Sequence, residues 1–185
     1  MRRSILEGVE VTRERRSYVV VSGPAASGKT TLARPLADEL GLPLLAKDTI
    51  KVALFGVLPV LDIETARLVG RAAVSVPLAV AAEGGFGAVL ESVWYRSQAI
   101  AELRRLDGSL VEVFCRCDRA ILEARYATRS GKRPVGYVPE HRDPTELWTS
   151  ETTEPVAGGW PVIEVDTNRS VDVAALVRRV KEVAS

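Results

Sequence analysis

A glycine-rich segment near the N-terminus has the residue types and the spacing needed to bind phosphate groups. It matches the pattern G-x-x-x-x-G-K-[ST] through Gly23, Pro24, Ala25, Ala26, Ser27, Gly28, Lys29 and Thr30. Loops of this kind wrap backbone amides around phosphates, with the lysine at the β- and γ-phosphates and the hydroxyl on Mg²⁺. The two glycines let the backbone curl close to the anion, which a Cβ would obstruct. The segment, with Thr31 directly after it, predicts a site for ATP and Mg²⁺.

The elements around this loop meet the condition that the motif requires. The β-branched run 18–21 predicts a buried strand before the loop. Apolar residues at helical spacing predict a helix over 28–40, which Gly41 ends and in which Pro35 predicts a kink. Because a strand enters the loop and a helix leaves it, a chance match of the motif is disfavoured.

Strands and helices alternate along the rest of the chain. Further strands are predicted over 42–46, 88–91, 110–117 and 161–165, and further helices over 49–57, 63–82, 97–106, 119–129 and 171–183. This alternation predicts a parallel sheet with helices on both faces. Residues 17–185 are predicted to form one domain after an N-terminal extension over 1–16. The Gly- and Pro-rich stretch at about 130–144 is predicted to be a lid.

Composition and charge narrow the class of partners. Lys plus Arg is 25 and Asp plus Glu is 24, a balance that argues against a polynucleotide acceptor or an anionic membrane surface. The most apolar stretch, 69–82, contains Arg71 and Pro77 and is too short to span a bilayer. Cys115 and Cys117 predict two small buried thiols. We expect a cytoplasmic protein, either a monomer or a homodimer.

The order of elements and three short motifs resemble the small-molecule kinases of the P-loop class. The motifs are the phosphate loop, Lys47-Asp48-Thr49-Ile50-Lys51 after the second strand, and the arginines after the fourth strand. The chain is similar, over about residues 17–183, to chloramphenicol phosphotransferase, zeta toxin, gluconate kinase and shikimate kinase, and more broadly to nucleoside monophosphate kinases. A GTPase is disfavoured because residues 166–169 lack the guanine-reading motif.

This resemblance implies both a fold and a reaction. The fold is the three-layer P-loop NTPase fold, with a five-stranded parallel sheet in the order 2-3-1-4-5, helices on both faces and a lid. The reaction is transfer of the γ-phosphate of ATP to a hydroxyl group of a small molecule. The resemblance also suggests that residues 166–168 line the adenine pocket.

Two carboxylates are placed at the ends of predicted strands, where ligands bind in open α/β folds. In the similar kinases an aspartate at the position of Asp48 contacts the acceptor hydroxyl and can take its proton, although Asp48 could instead cap a helix. Glu91 ends the third strand, beside the strand of the phosphate loop if the resemblance holds. It could hold a magnesium-bound water, contact the acceptor, or form a structural salt bridge.

Arginines supply the remaining candidates. Arg125, Arg129 and Arg133 are spaced by four, which places them on one helix face, and in the similar kinases lid arginines close over the phosphates. Together with the residues discussed above, this gives four predicted catalytic residues, which are Lys29, Asp48, Arg125 and Arg129. Arg125 and Arg133 are also predicted to contact the nucleotide. The alternative is a solvated helix face.

Specificity for the acceptor is predicted to depend on four further residues besides Asp48 and Glu91. Arg67 and Arg71 lie four apart on the long helix, where related kinases place substrate-binding arginines, and Tyr95 and Arg96 follow the third strand. The identity of the acceptor stays open. A nucleotide or nucleic-acid-end kinase and a regulatory protein that binds ATP without catalysis are the alternative functions.

Overall fold

Helices and strands alternate through the residues that the computed structural model describes, which are 16–59, 62–130 and 147–184. The strands are β1 (Ser17–Ser22), β2 (Leu44–Ala46), β3 (Ala88–Glu91), β4 (Ser109–Arg116) and β5 (Val162–Asp166). The helices are α1 (Lys29–Leu40), α2 (Lys47–Phe55), α3 (Ile63–Glu83), α4 (Arg96–Leu103), α5 (Arg119–Ser130), α6 (Ser150–Thr153) and α7 (Val173–Ala184).

The five strands form one parallel sheet in the order β2-β3-β1-β4-β5, which confirms the predicted fold. The first strand is central, with β3 on one side and β4 on the other. Val21 is in register with Glu91 of β3, and Ser22 is in register with Phe114 of β4. The phosphate loop (residues 23–30) therefore leaves the middle of the sheet at the edge where all strands end.

Both faces of the sheet are buried, as the β-branched run in β1 predicts. Val19 and Val21 point into a core formed with α1 and α7, whereas Tyr18 and Val20 point into a second core formed with α3 and α4. This alternation follows from the period of two along a strand. Because helices cover both faces of the sheet, a ligand site is expected at the edges of the sheet and in its loops.

The long helix α3 has 21 residues, which is seven more than the apolar stretch 69–82 that lies within it. Its most apolar 18-residue window has a mean hydropathy of 1.3, so length and composition alone would allow it to cross a membrane. The expectation that the apolar stretch is too short was wrong on length, because the helix begins at Ile63. Ala66, Val69, Ala73 and Ala81 are nonetheless buried, as expected for a helix that packs on the sheet of a globular domain.

Several element boundaries differ from the sequence prediction. The second helix begins at Lys47 with Ala46 as its N-cap, so Asp48 lies inside the first turn and the capping alternative was wrong. Asp62 does cap α3, because its carboxylate accepts a hydrogen bond from the Thr65 amide at 2.7 Å. The short helix α6 was not predicted. Most of the predicted lid, including Arg133, lies outside the described residues.

Candidate active site

The phosphate loop has a backbone that only a few residues adopt easily. Gly23 has a φ of 132° and Gly28 a φ of 85°, and Ala26 between them also has a positive φ of 66°. A Cβ on Gly23 would lie 2.6 Å from the Cys115 carbonyl oxygen, so this glycine is required by the packing of the loop on β4. This packing requirement adds to the predicted role, close approach of the backbone to an anion, which stays a prediction.

The first turn of α1 offers unpaired amides at the end of this loop. Gly28 is the N-cap residue, no side chain caps the helix, and the first turn carries no acidic residue. The amides of a helix N-terminus lack partners within the helix and attract anions. In addition, the Ser27 hydroxyl is buried without a hydrogen-bond partner among the described residues. The loop therefore fits a phosphate chain, which would supply acceptors for these donors.

Lys29 holds its amine inside the curve of the loop. The side chain is 6% exposed, and its Nζ donates a hydrogen bond to the Pro24 carbonyl at 2.7 Å. Burial lowers the pKa of this amine below its usual 10.5, while the nearby charges of Glu91 and Asp48 oppose that change. A buried ammonium gains from an anionic partner because its own hydration has been lost.

Glu91 and Thr30 form an oxygen pair beside the loop. The Thr30 hydroxyl donates to Glu91 Oε2 at 3.3 Å, and the Glu91 side chain is 4% exposed. Burial raises the pKa of the Glu91 carboxyl above its usual 4.5, while the Lys29 charge lowers it. Hard oxygen donors of this kind fit Mg²⁺, which usually takes one or two protein ligands together with water and phosphate oxygens. The described residues contain no group of three or more His, Cys, Asp or Glu that could hold a metal ion.

Asp48 completes a group of charges at this edge of the sheet. Its negative charge acts on both the Lys29 amine and the Glu91 carboxyl, and raises the pKa of each. The side chain is exposed in the first turn of α2, which follows β2 directly. Since β2 pairs with β3 and β3 with β1, the three side chains are brought together by neighbouring strands.

The predicted arginines of α5 line a large cleft on the other side of the loop. This cleft has a volume of about 1200 Å³ and is lined by Arg125 and Arg129, as well as by Gly28, Thr30 and Thr31. Arg125 Nη2 donates to the Thr167 carbonyl at 3.0 Å, and its Nη1 lies 3.5 Å from the Cys117 sulfur. The Arg129 charge acts on Lys29 and on Glu91. The expectation that these two arginines share one helix face is confirmed by their position in the cleft.

A tryptophan that the sequence analysis missed fixes the outer side of the phosphate loop. Trp148 donates from its Nε1 to the Ala25 carbonyl at 3.0 Å, and its ring packs edge-on against Tyr126. The Arg119 guanidinium lies 4.2 Å from the centroid of the same ring. The chain returns to the loop here after residues 131–146, so no local pattern in the sequence could indicate this contact.

A buried carboxylate supports the strand that carries the loop. Glu112 of β4 is 0% exposed and accepts hydrogen bonds from the Ser22 hydroxyl at 2.6 Å and from the Val156 amide at 2.8 Å. The Ala157 amide and the Trp160 Nε1 donate to its other oxygen at 2.9 and 3.2 Å. Because Ser22 directly precedes the loop, Glu112 fixes the point where the loop begins. This residue was also missed, since a glutamate in a strand is ordinarily a surface residue.

The predicted acceptor residues are only partly brought together. Arg67, Arg71 and Tyr95 line a second cavity of about 440 Å³, here called the α2–α3 cavity, which is also lined by Lys47, Lys51, Trp94 and Glu102. Arg96 does not line it, because its guanidinium extends toward Glu154 at 3.5 Å. The i, i+4 spacing of Lys47 and Lys51 was the signal in the sequence that could have indicated a shared face.

The chain belongs to a family of AAA domains, whose sequence pattern matches residues 19–148. No curated protein shows significant sequence similarity to it. Among solved structures, a candidate kinase from Chloroflexus aurantiacus is 27% identical and superposes with a TM-score of 0.81. The superposition covers 93% of this chain and 100% of that one.

Two further kinase structures share the fold at lower identity. A gluconokinase from Sinorhizobium meliloti is 22% identical with a TM-score of 0.56, covering 92% of this chain and 95% of that one. The APS kinase CysC of Mycobacterium tuberculosis, in complex with AMPPNP and APS, is 21% identical with a TM-score of 0.57, covering 91% and 97%. The chain therefore has the fold of P-loop kinases, and the resemblance to small-molecule kinases is confirmed.

Proposed function

We propose that this protein transfers the γ-phosphate of ATP to a hydroxyl group of a small molecule. The observation that carries this proposal is the convergence of Lys29, Glu91 and Asp48 at one edge of the sheet, where the charges of Glu91 and Asp48 act on Lys29 and those of Lys29 and Asp48 act on Glu91. Phosphoryl transfer requires groups that bind the phosphates, hold the metal and accept the proton of the acceptor. Lys29 inside the phosphate loop, the buried Glu91 paired with the Thr30 hydroxyl, and the exposed Asp48 would supply these functions in that order.

On the nucleotide side, the loop amides and Lys29 bind and orient the β- and γ-phosphates. The Lys29 amine exchanges its contact with the Pro24 carbonyl for phosphate oxygens, which relieves part of the cost of its burial. Thr30 would hold Mg²⁺ through its hydroxyl, and Glu91 would bind a water of that ion. The metal would neutralise charge on the phosphates when bound.

On the acceptor side, Asp48 acts as the general base. The acceptor oxygen attacks the γ-phosphorus, the bond from that phosphorus to the β–γ bridging oxygen breaks, and ADP leaves with the bonding electrons. The hydroxyl proton passes to Asp48. The exposed position of Asp48, close to Lys29, supports this role because the base must reach both the acceptor and the transferred group.

Arginines of α5 would stabilise the negative charge of the transferred group. Arg125 lies next to the loop, since its Nη1 is 3.9 Å from the point where a Gly28 Cβ would stand. Arg129 lies one turn further along the same face. Arginine suits this function because its planar group stays charged and binds two oxygens at once. We propose that Arg133, in the predicted lid, adds to them.

A screen for ATP consumption tests the proposal. Purified protein would be incubated with ATP, Mg²⁺ and one acceptor at a time from nucleosides, sugars, organic acids, aminoglycosides and 5′-hydroxyl oligonucleotides, with ADP and the phosphorylated product both measured. We expect acceptor-dependent turnover with at least one small molecule, and a loss of at least about a hundredfold in Lys29→Ala.

The same screen separates the alternatives. Turnover only with nucleotides or oligonucleotide ends would indicate the second kind of kinase, whereas ATP binding with no acceptor-dependent turnover would indicate a regulatory protein. Lys181→Ala, which removes a lysine from α7, serves as the control for Lys29→Ala and should keep full activity. An unchanged rate in Lys29→Ala would refute the assignment.

A further inference from the structure

A short segment that follows the predicted lid is attached to the phosphate loop at two separate points. This bridging segment is defined as residues 147–157 and contains α6. Near its start, Trp148 donates a hydrogen bond to the Ala25 carbonyl of the loop at 3.0 Å. At its end, the Val156 amide donates at 2.8 Å to Glu112, whose same oxygen accepts the hydroxyl of the residue just before the loop. Because the second attachment is a buried and satisfied network, the segment is held in place relative to the loop.

Threonine side chains hold the bridging segment in its compact shape. Thr152 is 1% exposed, and its hydroxyl lies 3.3 Å from the Leu147 carbonyl oxygen and 3.2 Å from that of Thr149. The Thr153 hydroxyl donates to the Thr149 carbonyl at 3.0 Å. A helix as short as α6 is marginal by itself, because its first turn fixes several residues for one backbone hydrogen bond. These side-chain contacts stabilise that turn and fix where its other side chains point.

Glu151 connects the middle of the bridging segment to the start of α4. Its Oε2 accepts a hydrogen bond from the Ser97 amide at 2.9 Å and another from the Ser97 hydroxyl at 2.7 Å. These two bonds hold the pKa of the Glu151 carboxyl below its usual 4.5, so the group is negatively charged at neutral pH. The N-cap residue of α4, Tyr95, does not cap the helix with its own side chain. A carboxylate that lies 54 residues away along the chain therefore supplies the cap, where the helix dipole favours negative charge.

The residues just before α4 form one wall of the α2–α3 cavity. Trp94 and Tyr95 line that cavity and lie in a stretch without regular secondary structure between β3 and α4. The position of such a stretch depends on the elements at its two ends. At one end, β3 is fixed by its pairing with β1. At the other end, the bonds from Ser97 to Glu151 hold the start of α4 against the bridging segment, and hence against the phosphate loop.

We propose that Glu151 is a positioning residue that, through Ser97, holds Trp94 and Tyr95 at a fixed place relative to the phosphate loop. Glu151 lines neither the cleft beside α5 nor the α2–α3 cavity, so it acts only through the residues that it holds. The inference rests on the proposed function, in which the acceptor and the γ-phosphate must be aligned. Misplacing two reacting groups by about 1 Å costs about a hundredfold in rate, so a contact that aligns the two regions contributes to transfer.

Hydrogen–deuterium exchange of the full chain, with and without AMPPNP and Mg²⁺, tests this connection without any acceptor. In the wild type, bound AMPPNP should slow exchange in peptides that cover residues 92–99 by at least about threefold, because openings that detach the bridging segment from the loop also weaken nucleotide binding. In E151A this nucleotide-dependent protection should be lost. The Kd for AMPPNP, measured by titration calorimetry, should stay within about twofold of the wild-type value, since Glu151 does not line the cleft.

Two further variants separate the hydrogen bonds from the charge. E151Q keeps an oxygen that can accept both bonds from Ser97 and should retain the protection. E182A removes the same charge from an exposed position of α7 and should behave as the wild type. With the acceptor that gives the highest turnover in the screen, E151A should raise the KM for the acceptor about fivefold and leave the KM for ATP unchanged.

A residue that only caps α4 would give a different result. Exchange in E151A would then be faster by the same factor with and without AMPPNP, so the protection by nucleotide would persist, and that result would overturn the inference. Absence of protection in the wild type, or its loss in E151Q, would also overturn it. If AMPPNP binds but no acceptor is phosphorylated, the proposed function fails, and the exchange comparison still decides whether Glu151 connects the two regions. Failure of AMPPNP to bind the wild type would overturn both.

Discussion

The phosphate loop and the α2–α3 cavity differ in what holds their charged groups in place. In the loop, Lys29 is buried and bonded to the Pro24 carbonyl, and the backbone is fixed between β4 and the Trp148 side chain. In the cavity, Arg67 and Arg71 are exposed on a helix and make no hydrogen bond or ion pair within the described residues. A site built from backbone and buried contacts is preorganised, whereas a site built from long exposed side chains becomes ordered when its ligand binds.

This difference indicates a division of roles between the two regions. The backbone donors of the loop can bind any nucleoside triphosphate, because every such molecule has the same phosphates. The cavity is lined by side chains, and under the proposed function its charge and shape would decide which acceptor is used. Substitutions in the first region should therefore affect every reaction of the protein, and substitutions in the second should affect one class of acceptor.

The largest effect is expected at Asp48, the proposed general base, whose charge acts on the Lys29 amine of the phosphate loop. Asp48→Asn keeps the size of the side chain but removes the base, so kcat should fall by about 10²- to 10⁴-fold while the KM for ATP stays unchanged. Steady-state kinetics with the best acceptor from the screen would measure both constants. A variant that kept its kcat but bound ATP more weakly would place Asp48 on the nucleotide side instead.

The hydrogen bonds of Glu112 beneath the phosphate loop should contribute to the free energy of unfolding. Glu112→Gln turns one of two acceptor oxygens into a donor that faces the Ser22 hydroxyl or the Trp160 indole, so unfolding should require about 3 kcal/mol less. Urea denaturation measures this change. Glu164→Gln makes the same substitution at an exposed position of the neighbouring strand and should change the unfolding free energy by less than about 0.5 kcal/mol. Equal effects in the two variants would mean that the buried network contributes nothing.

The affinity of the phosphate loop for Mg²⁺ should depend on pH. Burial raises the pKa of Glu91 above 4.5, and its ionised form is the one that can hold a metal-bound water. Affinity for Mg²⁺ should therefore fall as the pH drops through that raised pKa, at a higher pH than an ordinary glutamate would give. Glu91→Gln should weaken the binding of Mg²⁺ about tenfold at neutral pH and remove this dependence on pH. Mg²⁺ titration of ATP turnover from pH 5 to 8 measures both, and an identical pH profile in the variant would contradict the role.

The smallest effects are expected for two tryptophans, one beside the phosphate loop and one in the α2–α3 cavity. Trp148→Phe loses the hydrogen bond to the Ala25 carbonyl, worth about 1 kcal/mol, and should raise the KM for ATP about fivefold. Trp94→Phe loses no hydrogen bond among the described residues and borders the cavity, so the KM for ATP should stay unchanged while the KM for the acceptor changes. If both variants altered the same constant, the two regions would not be separable.

Much of the nucleotide side could be predicted from the sequence because its determinants are local. The loop, its strand and its helix are consecutive, and the period of two in β1 and the glycine at the end of α1 each follow from a few neighbouring residues. The positions of Arg125 and Arg129 followed from spacing along one helix. The sheet order came from the resemblance to kinases and is confirmed.

The remaining features depend on contacts between residues that are far apart along the chain. The sequence could not show that Glu112 is buried beneath Ser22, that Trp148 returns to the loop, or that Arg96 extends away from the cavity toward Glu154. Nor could it show that α2 and α3 place their basic side chains around one cavity. By itself the sequence determined the phosphate-binding loop, because a motif fixes backbone conformation over neighbouring residues. Only the tertiary structure decided which side chains surround the α2–α3 cavity, because packing between separate elements sets those distances.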